Sequence, residues 1–124
     1  MNDLRSNASD FHSSVLKLIK ETFPDYIIAN DKPIKVGNRT LYIDIFIKNL
    51  KLAIECDGDQ HDSFNKFFHG DAAGFVKSKE NDMLKTEYCK YNNITLIRIK
   101  YKEQLDKQTL LKKIAKAIKE NQND

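Results

Sequence analysis

The sequence has little of what secreted and membrane proteins depend on. Its 124 residues include only two cysteines, Cys56 and Cys89, which are too few for a disulfide framework. No apolar run approaches the roughly 20 residues of a membrane span, and the polar stretch at residues 1–10 lacks the apolar middle of a signal peptide. We therefore expect a cytoplasmic protein with reduced thiols and no membrane contact.

The composition is that of one folded domain. The chain is 40% hydrophobic and 31% charged, which is typical of globular proteins and unlike disordered ones. A length of 124 residues allows one hydrophobic core. We predict a single domain over residues 10–120, a flexible segment at 1–9 and a frayed end at 121–124.

The net charge of +3 is too small to indicate a nucleic-acid partner alone, but the charges are unevenly distributed. Residues 98–119 are rich in basic residues: Arg98, Lys100, Lys102, Lys107, Lys112, Lys113, Lys116 and Lys119. Acidic residues gather in the middle: Asp44, Glu55, Asp57, Asp59 and Asp62. An acidic cluster in a basic protein is what a cation-loaded site for a polyanion requires.

The spacing of apolar residues predicts a helix over 10–22, strands over 26–29, 40–48 and 51–56, a helix over 75–91, a strand over 94–99 and a helix over 103–120. Pro33, Gly37 and Asn38 indicate a turn-rich connection, and Asn49 with Leu50 a tight hairpin turn. Residues 57–74 hold three of the four glycines and suggest a long functional loop. The order α-β-β-β-α-β-α predicts a single α/β domain with a mixed central sheet flanked by helices.

Three carboxylates are expected to converge at one end of this sheet. Asp44 interrupts an apolar strand, while Glu55 and Asp57 end the next strand and share a face because side chains alternate. Clustered like charges need compensation, and oxygen ligands suit Mg²⁺ or Mn²⁺. His61 follows Asp57 by four residues and could serve as a general base or contact a phosphate.

These motifs occur in a recognisable order. They comprise the strand 41–47, the segment 52–61, Asp82-Met-Leu-Lys85 and Leu96-Ile-Arg-Ile99, spread over about half of the chain. Together they resemble PD-(D/E)XK nucleases, the restriction-endonuclease-like superfamily. More narrowly, they resemble the branch that contains very-short-patch repair endonucleases and phage homing endonucleases, which allows a phage origin.

The resemblance implies a restriction-endonuclease-like fold and a divalent-metal-dependent endonuclease acting on nucleic acid, DNA in preference to RNA. Asp44 and Glu55 would be metal ligands, and His61 would serve the attacking water or the phosphate. Asp57 stands where many members place a catalytic lysine, so it would assist the metal instead. Asp82 would be a further acid of the site, and Lys79 or Lys85 could take the place of the missing strand lysine. The residues implied to contact phosphates are Lys79, Lys85, Arg98 and Lys100. Glu21 would be an acid supplied by the first helix.

Other interpretations remain open from the sequence. A nucleic-acid-binding module that has lost catalysis would also lack the lysine after Glu55, and a structural α/β protein could carry acids at a solvated sheet edge. Asp82 and Lys85, one helical turn apart, could form an ordinary surface ion pair. A zinc site of Cys56, His61, His69 and Cys89 is disfavoured because the spacing matches no usual finger. At this size, specificity can depend on a homodimer or on a partner protein.

Overall fold

In the part of the chain that the structure describes, three helices and four strands follow one another in the predicted order, α-β-β-β-α-β-α. The computed structural model describes residues 3–57, 72–103 and 105–122. The elements are α1 (Asp3–Thr22), β1 (Ile28–Val36), β2 (Arg39–Ile47), a 3-10 turn (Lys48–Leu50), β3 (Leu52–Asp57), α2 (Ala72–Tyr91), β4 (Thr95–Lys100) and α3 (Lys107–Gln122). The predicted α/β class and element order are therefore confirmed.

The four strands form one mixed sheet in the order β1-β2-β3-β4. β1 pairs antiparallel with β2, and β2 pairs antiparallel with β3. β3 and β4 are parallel, and α2 lies between them in the chain, as a parallel connection requires. The predicted mixed sheet is confirmed, and its parallel pair places α2 beside the ends of β3 and β4.

Helices cover both faces of the sheet. One core cluster joins Val15 and Ile19 of α1 and Leu110 and Ile114 of α3 to buried residues of the sheet. The other cluster contains Cys89 of α2, with Leu84 and Tyr88 packed against its rim. Each face thus has its own apolar contact, which is the usual way a sheet of this class is buried. Within the described residues, no helix is long and apolar enough to cross a membrane.

The first strand is longer than its apolar run. We predicted a strand over 26–29 followed by a turn-rich segment, but β1 extends through Pro33 to Val36. This is tolerated because β1 is an edge strand, so the N–H that proline lacks is not needed by a neighbour on the outer side. The turn is confined to Gly37 and Asn38, where Gly37 has a φ of +62°.

Other boundaries also differ from those predicted. α1 begins at Asp3, seven residues before the expected start, and α2 begins at Ala72, inside the segment predicted as a loop. The rest of that predicted loop, residues 58–71, lies outside the described part. The β2–β3 connection is the 3-10 turn closed by Lys51 at a φ of +49°, rather than a two-residue hairpin turn.

The last helix starts at Lys107 instead of residue 103. The cause is a cap that the apolar spacing did not reveal: the Asp106 carboxylate accepts the backbone N–H of Thr109 at 2.7 Å. Such a side chain satisfies one of the unpaired N–H groups at a helix start and fixes where the helix begins.

Candidate functional site

The candidate site lies where the backbone pairing of β2 with β3 ends. The last registered pair is Ile45 with Ile54, although β3 continues to Asp57. Beyond that pair, the Asp44 N–H donates to Glu55 Oε2 at 2.9 Å, and the Cys56 N–H donates to Asp44 Oδ2 at 2.8 Å. Two carboxylates thus replace the missing ladder bonds, and each is held in place by the backbone of the other strand.

Asp44 also marks a change in the packing of β2. Ile45 and Ile47 belong to the core cluster beneath α1 and α3, whereas Ile43 belongs to the cluster beneath α2. Simple alternation along a strand would place all three isoleucines on one face. The strand therefore exchanges its packing partners at Asp44, which leaves this carboxylate between the two layers of helices.

A lysine from α2 compensates one of the two carboxylates. Lys85 Nζ lies 2.8 Å from Glu55 Oε1, and the side chains are only 15% and 5% exposed, respectively. A buried carboxylate is unfavourable unless it is paired and hydrogen-bonded, and Glu55 is both. Lys85, one of the two lysines suggested as substitutes for the missing strand lysine, therefore contacts Glu55.

A cleft of about 320 Å³ lies between α2 and the ends of β3 and β4. It is lined by Asp57, Lys79, Asp82, Met83, Thr86, Arg98 and Lys100. Asp57 and the two β4 residues belong to the paired ends of β3 and β4, and the other four belong to α2. The fold thus gathers five of the residues that the sequence had selected for catalysis or for phosphate contact.

Arg98 is fixed in the cleft by α2. Its Nη2 donates to Thr86 Oγ1 at 2.9 Å and to the carbonyl oxygen of Asp82 at 3.2 Å, while Nη1 lies 3.8 Å from Asp82 Oδ1. Asp82 therefore lies beside Arg98, whereas Lys85 pairs with Glu55. The interpretation of Asp82 and Lys85 as a mutual surface pair does not fit these contacts.

The electrostatic environment of Asp44 differs from that of Glu55. Burial raises the pKa of Asp44, and the negative charge of Glu55 raises it further. The Cys56 N–H, His12 and Lys85 lower the pKa of Asp44 but do not cancel these effects. A negative charge at Asp44 is therefore unfavourable in the folded protein, and a bound cation would relieve this cost.

Two residues near Asp44 were not selected from the sequence. One ligand atom each from His12, Asp31 and Asp44 lies within 4.8 Å of the other two. His12 was not among the predicted site residues, and the predicted end of β1 at residue 29 left Asp31 in a turn. The signal that could have found Asp31 is the register of β1: Asn30 faces Ile45 and Lys32 faces Ile43, so Asp31 lies opposite Asp44.

The remaining predicted residues fall elsewhere. Glu21 lines a groove along α1 with Ser13, Leu16, Lys17 and Lys20, so the residue of α1 that approaches the carboxylates is His12. His61 lies outside the described residues, as do Asp59 and Asp62.

The two cysteines contribute no shared site. Cys56 packs against the core cluster beneath α1 and α3, whereas Cys89 belongs to the cluster on the opposite face. Burial raises the pKa of Cys56, and burial together with the charge of Glu55 raises the pKa of Cys89 to about 11. Both thiols therefore remain protonated near neutral pH, and the two cysteines cannot ligate one zinc ion from opposite faces.

Comparison with known proteins gives two viral relatives. The chain is 37% identical over 78 residues to a protein named uncharacterized protein 307L from Invertebrate iridescent virus 6, covering 63% of this chain and 40% of that protein. It is 33% identical over 66 residues to uncharacterized protein 033L from Invertebrate iridescent virus 3, which covers 53% of this chain and 34% of that protein. The chain thus spans well under half of either relative, and their viral source is compatible with the expected phage or virus origin. No protein-family model and no solved structure matches the chain.

Proposed function

We propose that this chain is a divalent-metal-dependent endonuclease that hydrolyses phosphodiester bonds in nucleic acid, DNA in preference to RNA, on a restriction-endonuclease-like fold. The observation that carries the proposal is that Asp44 and Glu55, on adjacent strands, are each hydrogen-bonded to the backbone of the other strand, while Lys85 forms an ion pair with Glu55. Two carboxylates and one lysine are the groups that the PD-(D/E)XK resemblance requires. Here Asp57 occupies the position on β3 where many members of that superfamily have the lysine, and Lys85 of α2 would take its place.

The donor set fits a hard divalent cation. Both carboxylates belong to rigid neighbouring strands, and each hydrogen bond they accept leaves further oxygen lone pairs for a ligand. The charge at Asp44, which burial and Glu55 make unfavourable, would be offset by such an ion. When bound, Mg²⁺ or Mn²⁺ lowers the pKa of a coordinated water and stabilises charge that develops on a phosphate.

The cleft supplies the contacts for a phosphate backbone. Three of its lining residues are cations, Lys79, Arg98 and Lys100, against the two acids Asp57 and Asp82. Arg98 is oriented by Thr86 and the Asp82 carbonyl, so little side-chain entropy remains to be lost when it binds a phosphate. Asp57 lines the same cleft two residues after Glu55, and in this proposal its carboxylate would hold a water of the metal.

The test is cleavage of a panel of nucleic acids in Mg²⁺, Mn²⁺ or EDTA: supercoiled plasmid, mismatched and branched duplexes, single-stranded DNA and RNA. Asp44→Asn and Glu55→Gln should each reduce metal-dependent cleavage on the order of 10²- to 10³-fold, because transition-state charge loses its support. Glu80→Gln, which alters an exposed glutamate of α2 bound to Arg39, is the matched control and should cleave normally. Full activity in Asp44→Asn or Glu55→Gln, with normal circular dichroism, would contradict the proposal.

A binding module without catalysis is the second candidate, favoured by Asp57 in the place of the strand lysine. It predicts salt-dependent DNA binding by the wild-type protein and no nicking with either metal. Under both candidates, Lys79→Gln should lower the slope of log affinity against log salt by about 0.9 if Lys79 neutralises one phosphate. Lys112→Gln, on an exposed face of α3, should leave that slope unchanged.

A further inference from the structure

Three elements that are distant in sequence bring metal-ligating groups together beside Asp44. His12 lies on α1, Asp31 on β1 and Asp44 on β2, with one ligand atom of each within 4.8 Å of the other two. Among the described histidines, cysteines and acids, this is the set of three that meets such a distance. The group differs from Asp44, Glu55 and Asp57, which the sequence had indicated as metal ligands.

The imidazole provides an observation independent of this distance. His12 Nε2 is buried and has no hydrogen-bond partner among the described residues. Buried polar atoms in folded proteins are nearly always partnered, so an unpartnered nitrogen on an imidazole that lies beside two carboxylates calls for a ligand. A neutral imidazole nitrogen is also the commonest protein ligand of transition metals.

The negative charges of Asp31 and Asp44 also favour a bound cation. Asp31 and Asp44 lie opposite each other on β1 and β2, an arrangement of like charges that is unfavourable in a sheet. In residues 3–57, 72–103 and 105–122, neither of them forms an ion pair with a lysine or arginine. The neighbouring Lys32 is directed elsewhere, with its Nζ 5.2 Å from the centre of the Phe46 ring.

We propose that His12, Asp31 and Asp44 bind a divalent first-row transition ion such as Mn²⁺, at a position separate from the Asp44–Glu55 pair. One imidazole and two carboxylates suit Mn²⁺, Fe²⁺ or Zn²⁺, whereas Mg²⁺ takes oxygen ligands. Ligand bonds of about 2.0–2.2 Å require donor atoms roughly 3–4 Å apart, so the cluster needs only a small contraction. The ion would fasten α1 to the β1–β2 hairpin.

The first measurement is Mn²⁺ binding by electron paramagnetic resonance and by titration calorimetry, on the full chain after chelator treatment. His12→Gln and Asp31→Asn should each weaken Mn²⁺ binding at least about tenfold. Removing a group that only supports a metal ligand typically costs about 10- to 100-fold in affinity, so loss of a ligand should cost no less. Asn accepts the left-handed conformation that Asp31 adopts, so this change keeps the backbone. Asp25→Asn and His69→Gln are the matched controls and should bind Mn²⁺ normally.

A second readout identifies the histidine. Pulsed electron paramagnetic resonance of the Mn²⁺ complex should show a nitrogen coupling from one imidazole, present in His69→Gln and absent in His12→Gln. Mn²⁺ at one hundred times its Kd should shift the unfolding equilibrium of the wild type about 100-fold toward the folded state. Asp31→Asn should lose most of that shift.

The outcomes separate this inference from the proposed nuclease function, which does not depend on it except through the shared Asp44. Equal Mn²⁺ affinity in wild type, His12→Gln and Asp31→Asn would overturn the inference even if Mg²⁺-dependent cleavage is found. Absence of a nitrogen coupling in the wild-type spectrum would also overturn it. His12-dependent Mn²⁺ binding without cleavage of any nucleic acid would support the inference and contradict the proposed function.

Discussion

The acids on the two sides of Asp44 differ in whether a lysine or arginine compensates their negative charge. Toward α2, Glu55 has its own cation, Lys85, and the adjoining cleft adds Lys79, Arg98 and Lys100. Toward α1, Asp31 and Asp44 face each other beside His12, and no lysine or arginine of the described residues forms an ion pair with either acid. The protein itself supplies cations on the α2 side, whereas on the α1 side the described residues supply no lysine or arginine paired with either acid.

This difference has a physical origin in burial. Glu55 is only 5% exposed, so its charge has to be compensated within the folded chain. Asp31 is exposed, so water stabilises its charge until a ligand replaces that water. The buried Glu55 therefore requires a cation from the protein, whereas the exposed Asp31 does not and is open to the ion proposed above.

The largest expected effect tests the compensated side. Lys85→Met leaves the Glu55 carboxylate buried without its cation and should cost about 3–5 kcal/mol of unfolding free energy. Glu55→Gln in the same chain removes that charge and keeps an acceptor for the Asp44 N–H, so the double variant should regain at least half of the loss. Urea unfolding in EDTA measures both. A loss below about 1 kcal/mol for Lys85→Met would mean that Glu55 does not need Lys85.

An intermediate effect concerns the pH dependence of the uncompensated side. The folded-state pKa of Asp44 lies above its usual value of 3.8, because burial and Glu55 disfavour the carboxylate. The stability that Asp44 contributes is therefore greatest below pH 3.8 and is lost as the pH rises through the raised pKa. Asp44→Asn should become more stable relative to wild type over that rise, as measured by urea unfolding in EDTA at a series of pH values.

The control for that pH series is Asp106→Asn. The Thr109 N–H lowers the pKa of Asp106, so the stability that Asp106 contributes is present above pH 3.8 and is lost as the pH falls through the lowered pKa. The two variants should thus show pH dependences of opposite sign. Parallel curves would contradict the assignment of buried, uncompensated charge to Asp44.

The smallest expected effect separates the contribution of burial from that of ion-pair distance. Arg39 and Glu80 form an ion pair at 2.8 Å, the same separation as Lys85 and Glu55, but their side chains are 43% and 46% exposed. Arg39→Ala should cost only about 0.2–1 kcal/mol, because water screens an exposed pair. Urea unfolding beside Lys85→Met gives the comparison directly, and equal losses would show that burial is not what makes the Lys85–Glu55 pair important.

Sequence reasoning located the carboxylates better than their partners. Asp44 and Glu55 stood out because an acid in a β-branched, apolar strand is rare, and both indeed lie on adjacent strands. Asp31 was missed because its strand has a weak pattern, with Pro33 and polar residues on a sheet edge. His12 was missed because one histidine on an amphipathic helix gives no periodic signal. The predicted roles of all these residues remain to be tested by the experiments above.

The sequence by itself determined the element order, the mixed sheet and the presence of acids on two neighbouring strands, because these follow from short-range periodicity and alternation. Only the tertiary structure decided which groups surround those acids. It brought Lys85 to Glu55 from thirty residues away and set His12 and Asp31 beside Asp44. The reason is that charge compensation depends on distance and burial in three dimensions, which helix and strand packing fix and which spacing along the chain does not encode.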